Sequence, residues 1–471
     1  MIQAAPLVDP GALFEQQRQA RWRVAATGPD ERRRKLKALL DALLAGRAEA
    51  QAALAADFRK SPEEVDLTEV YPVVAELRQA ISRLDSWMRP LRARTPLAFF
   101  GSVAETVYEA KGQVLIISPW NYPLFLTLGP LVSAIAAGNC TIIKPSEFTP
   151  HTSAFLIALL GGLFPPEEVA VVEGAAETAQ ALLDLPFDHV FFTGSPAVGR
   201  VVMASAARHL SSLTLELGGK SPVLVDAGAD PARAARKIAW GKFINAGQTC
   251  VAPDYVLVHA DRHDALVEAL CAAVQGFYGA TPSARRASPD FPRIISARHL
   301  TRLEGLLKTS GGKVELGGEV DADQNYLAPT IVTDLDPASP LMAEEIFGPI
   351  LPILKVRDMD EAVAFVNARP KPLALYVFAG GRRRAEALLA RTTSGGACID
   401  DTVLHFAHPH LPAGGTGTSG FGKAHGHHGF LAFSNEKAVF RQLTRFSAIQ
   451  LMYPPYTGFV RRMIDLTLRY F

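Results

Sequence analysis

The chain has 471 residues, 48% of them hydrophobic, enough for a large core and two or three domains. Its 48 basic and 47 acidic residues leave a net charge of +1, which excludes the long-range positive field of a nucleic-acid binder. Four cysteines in so long a chain exclude a disulfide framework and fit a reducing compartment. The stretch Met1–Pro10, with Asp9 and no leading basic cluster, does not read as a signal peptide.

Residues 10–58 read as two helices. The second opens at Pro29-Asp30-Glu31 and carries Leu36, Leu39, Leu40, Leu43 and Leu44 at helical spacing, with Arg32-Arg33-Arg34-Lys35 as a solvated face. One or two further helices run from Val65 to about Leu91. Val103, Thr106, Val107 and Tyr108 then mark a short strand or hairpin within 99–110. Residues 112–143 carry no charge, a run longer than a membrane-spanning helix needs. Pro119, Asn121, Pro123, Gly129, Pro130, Gly138 and Asn139 punctuate it into a buried strand, a turn and a buried helix.

From there strands alternate with helices. Strands are expected at Val114–Ser118, Cys140–Lys144, Val169–Glu173, His189–Thr193 and Thr214–Leu217, with helices at 124–138, 149–163, 177–184 and 196–209. That repeat is the length of a βαβ unit, so it predicts an open, mostly parallel sheet that binds ligands at the carboxyl ends of its strands. A second alternation follows, with strands near 222–226, 255–259, 330–334, 350–356, 373–378 and 396–400, and gives a second α/β domain.

The chemistry-bearing motifs sit at strand ends. Ser118-Pro119-Trp120-Asn121-Tyr122-Pro123 follows the first strand, and Lys144-Pro145-Ser146-Glu147 follows the second. After the fourth, Gly194, Ser195 and Gly199 open a helix, where a phosphate can approach backbone amides. The spacing G-x-x-x-x-G is neither the usual dinucleotide fingerprint nor a P-loop. Gly415-Thr416-Gly417-Thr418-Ser419-Gly420 does match G-x-G-x-x-G, but it follows His408-Pro409-His410-Leu411-Pro412, which cannot be a central strand; it reads as a flexible loop. His425, His427 and His428 lie in a Gly-rich turn without further ligand types, so no metal is expected. Arg382-Arg383-Arg384 reads as surface charge, and Cys140, Cys271 and Cys398 read as core.

Cys250, in Asn245-Ala246-Gly247-Gln248-Thr249-Cys250, is a candidate nucleophile among small and polar neighbours. Glu216, in Leu215-Glu216-Leu217-Gly218-Gly219-Lys220, is a candidate base. From the hexapeptide alone a merely buried cysteine fits as well. At the other end Tyr453-Pro454-Pro455-Tyr456 breaks the chain before a short amphipathic helix at 459–471. That helix is too short and too charged to span a bilayer, which leaves a membrane surface, a groove or the protein's own surface to receive it.

Taken together, these motifs and Glu344-Glu345-Ile346-Phe347-Gly348-Pro349 resemble the aldehyde dehydrogenase superfamily over about residues 10–440. Ala239-Trp240-Gly241-Lys242-Phe243, Val251-Ala252-Pro253-Asp254-Tyr255, Arg293-Ile294-Ile295-Ser296 and Lys371-Pro372-Leu373-Ala374-Leu375-Tyr376 resemble its class 3 branch, which includes fatty aldehyde dehydrogenases. The resemblance implies an α/β fold of two open, mostly parallel sheets. One is a Rossmann-like coenzyme domain (1–98 and 111–219) and the other a catalytic domain (220–412). A β bridging and oligomerisation element (99–110 and 430–446) and a C-terminal tail (447–471) complete the chain.

The resemblance also implies an activity: NAD(P)-dependent oxidation of an aldehyde, medium- or long-chain aliphatic or aromatic, to its acid. Cys250 would attack the carbonyl carbon, the Asn121 amide and the Cys250 N–H would hold the oxyanion, and Glu216 would activate the hydrolytic water. Trp120, Lys144, Glu147, Gly194, Ser195, Gly199, Leu217, Glu345 and Phe347 would hold the coenzyme, with Glu147 leaning the choice to NAD over NADP. A cytoplasmic homodimer is expected, its tail able to touch a membrane. Two departures stand out: Leu411-Pro412-Ala413-Gly414-Gly415-Thr416 replaces the common Leu-Pro-Phe-Gly-Gly-Val, and the spanning tail of some fatty aldehyde relatives is missing. The alternatives are a CoA-acylating relative, which typically lacks the base glutamate, and a catalytically silent protein, which tends to lose the nucleophile.

Overall fold

Strands such as Gln113–Ile117 and Cys140–Lys144, buried along their whole length, can be accommodated only between two helical layers, and that is where they lie. The computed structural model describes residues 9–96 and 99–470. Residues 1–8, where no signal peptide is read, and Phe471 at the end of the tail lie outside the described residues.

The first sheet runs, edge to edge, Gly420–Phe421, Ser212–Leu217, His189–Gly194, Gln113–Ile117, Cys140–Lys144, Val169–Val171. Every pair is parallel except the first. The chain starts in the middle, at Gln113–Ile117, and builds outward on both sides, so a crevice opens beyond Ile117 and Gly194. The second sheet runs Lys313–Leu316, Thr330–Thr333, Ile350–Val356, Tyr255–His259, Pro222–Val225, Ala374–Phe378, Gly396–Ile399, antiparallel only at Lys313–Leu316. A third, fully antiparallel sheet joins Leu91–Arg92, Ser102–Ala110 and Ser434–Gln442, with Ser102 opposite Gln442 and Ala110 opposite Ser434.

Several local expectations change. Residues 10–58 form three helices, Pro10–Ala25, Pro29–Ala45 and Arg47–Phe58, because Gly46 ends the second and starts the third. The Gly415–Gly420 stretch is an ordered turn rather than a flexible loop. A short helical turn, Gly417–Ser419, is closed by reciprocal bonds between Thr416 and Ser419, and the chain then pairs with the strand that carries Glu216. Only Cys140 is buried; Cys271 and Cys398 are half-buried, and Cys398 Sγ lies 3.2 Å from His405 Nδ1. His425 is packed between the rings of Phe125 and Phe406. The tail forms the helix Gly458–Tyr470, of which only Val460 is buried while Phe459, Leu466, Leu468 and Tyr470 stay exposed. Among the described residues no helix is long and apolar enough to cross a membrane.

Candidate active site

Between Phe243 and Cys250 the chain makes an unusual turn. Asn245 (φ 52°), Ala246 (φ 51°) and Gly247 (φ 75°) are left-handed in succession. For a non-glycine residue that conformation costs about 1–2 kcal/mol, so surrounding contacts must hold it. They do: the Asn245 N–H donates to Glu64 Oε1 (2.7 Å), and its side-chain amide donates to Asn121 O (2.7 Å) and Gln248 O (3.0 Å). Gln248 in turn donates to Asn245 O (3.0 Å) and Arg293 O (3.1 Å) and accepts from the Ile295 N–H (2.9 Å). Tyr122 and Thr249 share a hydroxyl contact of 2.6 Å, and the Tyr376 hydroxyl donates to Val251 O. This scaffold presents Cys250 half-buried at the end of the turn.

Asn121 reaches the same place from the turn after the Gln113–Ile117 strand. Its side chain is buried and donates one N–H to Gln248 O at 3.1 Å, which leaves the second amide hydrogen for another acceptor. The N–H groups of Cys250 and Val251 face the sulfur. Glu216 sits near the end of its strand, buried, and neither of its carboxylate oxygens has a hydrogen-bond partner among the described residues.

The electrostatics disfavour charge in the free site. Burial, then Glu345 and Glu216, push the Cys250 thiol well above its ordinary value. Burial raises Glu216 to about 8 against the pull of Lys423. Burial with nearby Asp254 likewise raises Glu345 to about 8. The site therefore suits an incoming positive charge.

Two cavities meet at Cys250. One, of about 330 Å³, is lined by Trp120, Asn121, Gly194, Ser195, Glu216, Leu217, Cys250, Glu345 and Phe347, and also by His299, Arg302 and Glu344. It has the parts a dinucleotide needs. Gly194 leads to the N-terminus of the helix Pro196–Ala207, which Ser195 caps, so backbone N–H groups face the cleft. Trp120 meets Phe347 edge-on at 5.2 Å and His299 at 5.0 Å, forming an aromatic wall. The other cavity, about 150 Å³, has no charged residue in its lining; Leu67, Tyr71, Phe125, Trp240, Leu404 and Phe406 are among its walls, and Cys250 lines it too. Leu67 and Thr68 enter its wall from a π turn, Asp66–Val70, between the helices Pro62–Val65 and Tyr71–Met88.

Residues 7–439 match the Aldehyde dehydrogenase family. The chain belongs to that family. The dehydrogenase is 46% identical to Aldehyde dehydrogenase family 3 member B1 of Rattus norvegicus over 87% of this chain and 86% of that one. It is 42% identical to the 4,4'-diaponeurosporen-aldehyde dehydrogenase of Staphylococcus aureus, over 91% of this chain and 92% of the relative. Among solved structures, the substrate-bound state of Staphylococcus aureus AldH superposes with a TM-score of 0.94 at 39% identity, covering 97% of this chain and 99% of that one. The chain is an NAD(P)-dependent aldehyde dehydrogenase of the class 3 branch.

Not every residue singled out in the sequence lines this dehydrogenase's larger cleft. Lys144 and Glu147 lie at the end of the neighbouring strand, outside that lining, paired to each other at 2.8 Å. Gly199 is buried one turn into the helix. A Cβ there would press on the Leu217 side chain at 2.7 Å, so its smallness serves helix-to-strand packing. Sequence reasoning passed over His299, Arg302 and Lys423. Arg302 donates to the Ile346 carbonyl (2.5 Å) and pairs with Glu344 (3.0 Å), which ties the helix Ala297–Lys308 to the Glu345–Phe347 turn. The first two have no local signal, because a helix surface carries such residues everywhere.

Proposed function

We propose that this dehydrogenase oxidises apolar aldehydes, aliphatic of medium or long chain or aromatic, to carboxylic acids through a covalent bond to Cys250. One observation carries the reading: Cys250 alone connects an uncharged, aromatic-walled tunnel to a polar cleft with dinucleotide features, Asn121 and Glu216 beside it. Trp120, Gly194, Ser195, Leu217, Glu345 and Phe347 would hold the coenzyme, and Lys144 with Glu147 would meet its ribose. Bound NAD supplies the acceptor for a hydride and, in its oxidised ring, a positive charge that favours the thiolate.

The Cys250 thiolate adds to the aldehyde carbon, and the electron pair of the C=O bond moves onto oxygen. Asn121 Nδ2 and the Cys250 N–H receive that oxyanion. Loss of the aldehyde hydrogen with its electron pair restores the C=O bond and leaves a thioester on Cys250. Glu216 takes a proton from water, the resulting hydroxide adds to the thioester, and the acid departs as the thiolate is regenerated. A carboxylate without bonds of its own is free to accept such a water. The antiparallel sheet built on Ser102–Ala110 and Ser434–Gln442, with Leu91, Phe99 and Phe440 exposed on or near it, supports a homodimer joined through this element.

Steady-state assays over straight-chain and aromatic aldehydes, each with NAD and with NADP, test the reading, together with Cys250→Ala. The variant is expected to lose all turnover while still binding NADH. Residual oxidation above a few per cent would remove Cys250 from the mechanism, and a preference for charged or short polar aldehydes would remove the tunnel.

A further inference from the structure

The G-x-G-x-x-G stretch does not follow a central strand, yet its glycines have a packing purpose. A Cβ at Gly415 would overlap Ser419 O, and one at Gly420 would overlap Leu215 O. The turn is pressed against the strand that carries Glu216, with Gly420 directly opposite Glu216 in antiparallel register. Lys423 extends back along this turn and donates from Nζ to Gly414 O (2.7 Å) and Gly415 O (3.1 Å). Gly414 stands between two charges. A Cβ there would lie 2.8 Å from Glu216 Oε1 and 3.2 Å from Lys423 Cδ.

We propose that Lys423 is a positioning residue for Glu216, its ammonium held across Gly414 so that the buried carboxylate can ionise and work as a base. This rests on the reading of Glu216 as the base above. Among the described residues, Cys250 and Glu345 share the cavity with Glu216, and both become negative on ionising. Lys423 is the one cation acting on Glu216 among the described residues, and it opposes a burial effect that otherwise favours the neutral acid. Its bonds to two carbonyls fix the ammonium without neutralising it. The glycine-rich turn then serves to bring a cation near the base without an ion pair that would occupy the oxygens, neither of which has a hydrogen-bond partner among the described residues.

The test separates charge from scaffolding. Lys423→Gln keeps a donor for the Gly414 and Gly415 carbonyls but removes the charge, whereas Lys423→Arg keeps the charge. Difference infrared spectroscopy reads the protonated carboxyl of Glu216 directly, the band being assigned by its loss in Glu216→Gln. Its titration midpoint is expected to rise by about one pH unit in Lys423→Gln and to stay at the wild-type value in Lys423→Arg. Acyl-enzyme breakdown from hexanal, followed by rapid quench across the same pH range, is expected to shift its midpoint in parallel and reach the same plateau at high pH. An unmoved infrared midpoint in Lys423→Gln, whatever happens to rate, would overturn the proposal and make the lysine a strut for the turn. Unchanged acyl-enzyme breakdown in Glu216→Gln would instead overturn the base reading, and the infrared midpoint would still report the coupling.

Discussion

The side-chain amide of Asn121 donates to the backbone carbonyl of Gln248, 3.1 Å away and two residues before Cys250. One amide hydrogen is thereby used to aim the other. Asn121→Ala should lower kcat about 10²–10³-fold with little change in KM, because the lost bond strengthens only as the oxyanion forms. Asn121→Asp should do no better despite its near-identical shape. Steady-state kinetics on a single good aldehyde decide it, and a drop confined to KM would argue that Asn121 merely shapes the pocket.

Glu216 gives the pH dependence its sign. An acid whose pKa is raised to about 8 is largely protonated at neutral pH and becomes a base as pH rises through that value. Thioester hydrolysis should therefore accelerate with pH and level off above about 8. Glu216→Gln should flatten that profile and slow hydrolysis about 10²–10⁴-fold while sparing the first turnover of NADH. A stopped-flow burst followed by a slow steady state is the expected trace.

Chain length should read out the tunnel. Each methylene buried against Phe125, Trp240, Leu404 and Phe406 is worth about 0.8 kcal/mol, or roughly fourfold in kcat/KM, until the tunnel is full. Phe406→Asp should flatten this series, costing long aldehydes far more than acetaldehyde. Equal losses at all lengths would place the effect on the Cys250 turn.

Beneath the site Lys60 and Glu69 form a wholly buried ion pair at 2.8 Å, and Glu69 also accepts the Leu124 and Phe125 N–H groups at 3.2 and 3.0 Å. Lys60→Met leaves that carboxylate buried without its cation, which should cost about 3–5 kcal/mol. Urea unfolding should show the midpoint fall, and the double variant Lys60→Met with Glu69→Gln should recover part of the loss. Additive losses in that cycle would show that the pair is not coupled.

Much of the molecule was legible before folding. The unbroken apolar runs ending at Ile117 and Lys144 can only be strands covered on both faces, and motifs at the carboxyl ends of such strands face the crevice, where Trp120, Asn121, Gly194 and Ser195 line the cavity at Cys250. Gly199 shows the limit of such reading, because a glycine packed on Leu217 looks the same in sequence as one beside a phosphate. The Gly415–Gly420 stretch was misread because its strand partner lies some 200 residues earlier.

The amino-acid sequence by itself determined the two alternating sheets, which follow from local periodicity, and offered Cys250, Asn121 and Glu216 as candidates whose roles came only from the family resemblance. Tertiary structure alone decided that Cys250 lines two different cavities, that Glu216 is buried without a bonding partner among the described residues, and that Lys423 faces it across Gly414. Burial, charge proximity and cavity shape depend on distances between segments far apart in the chain, and no local pattern encodes those distances.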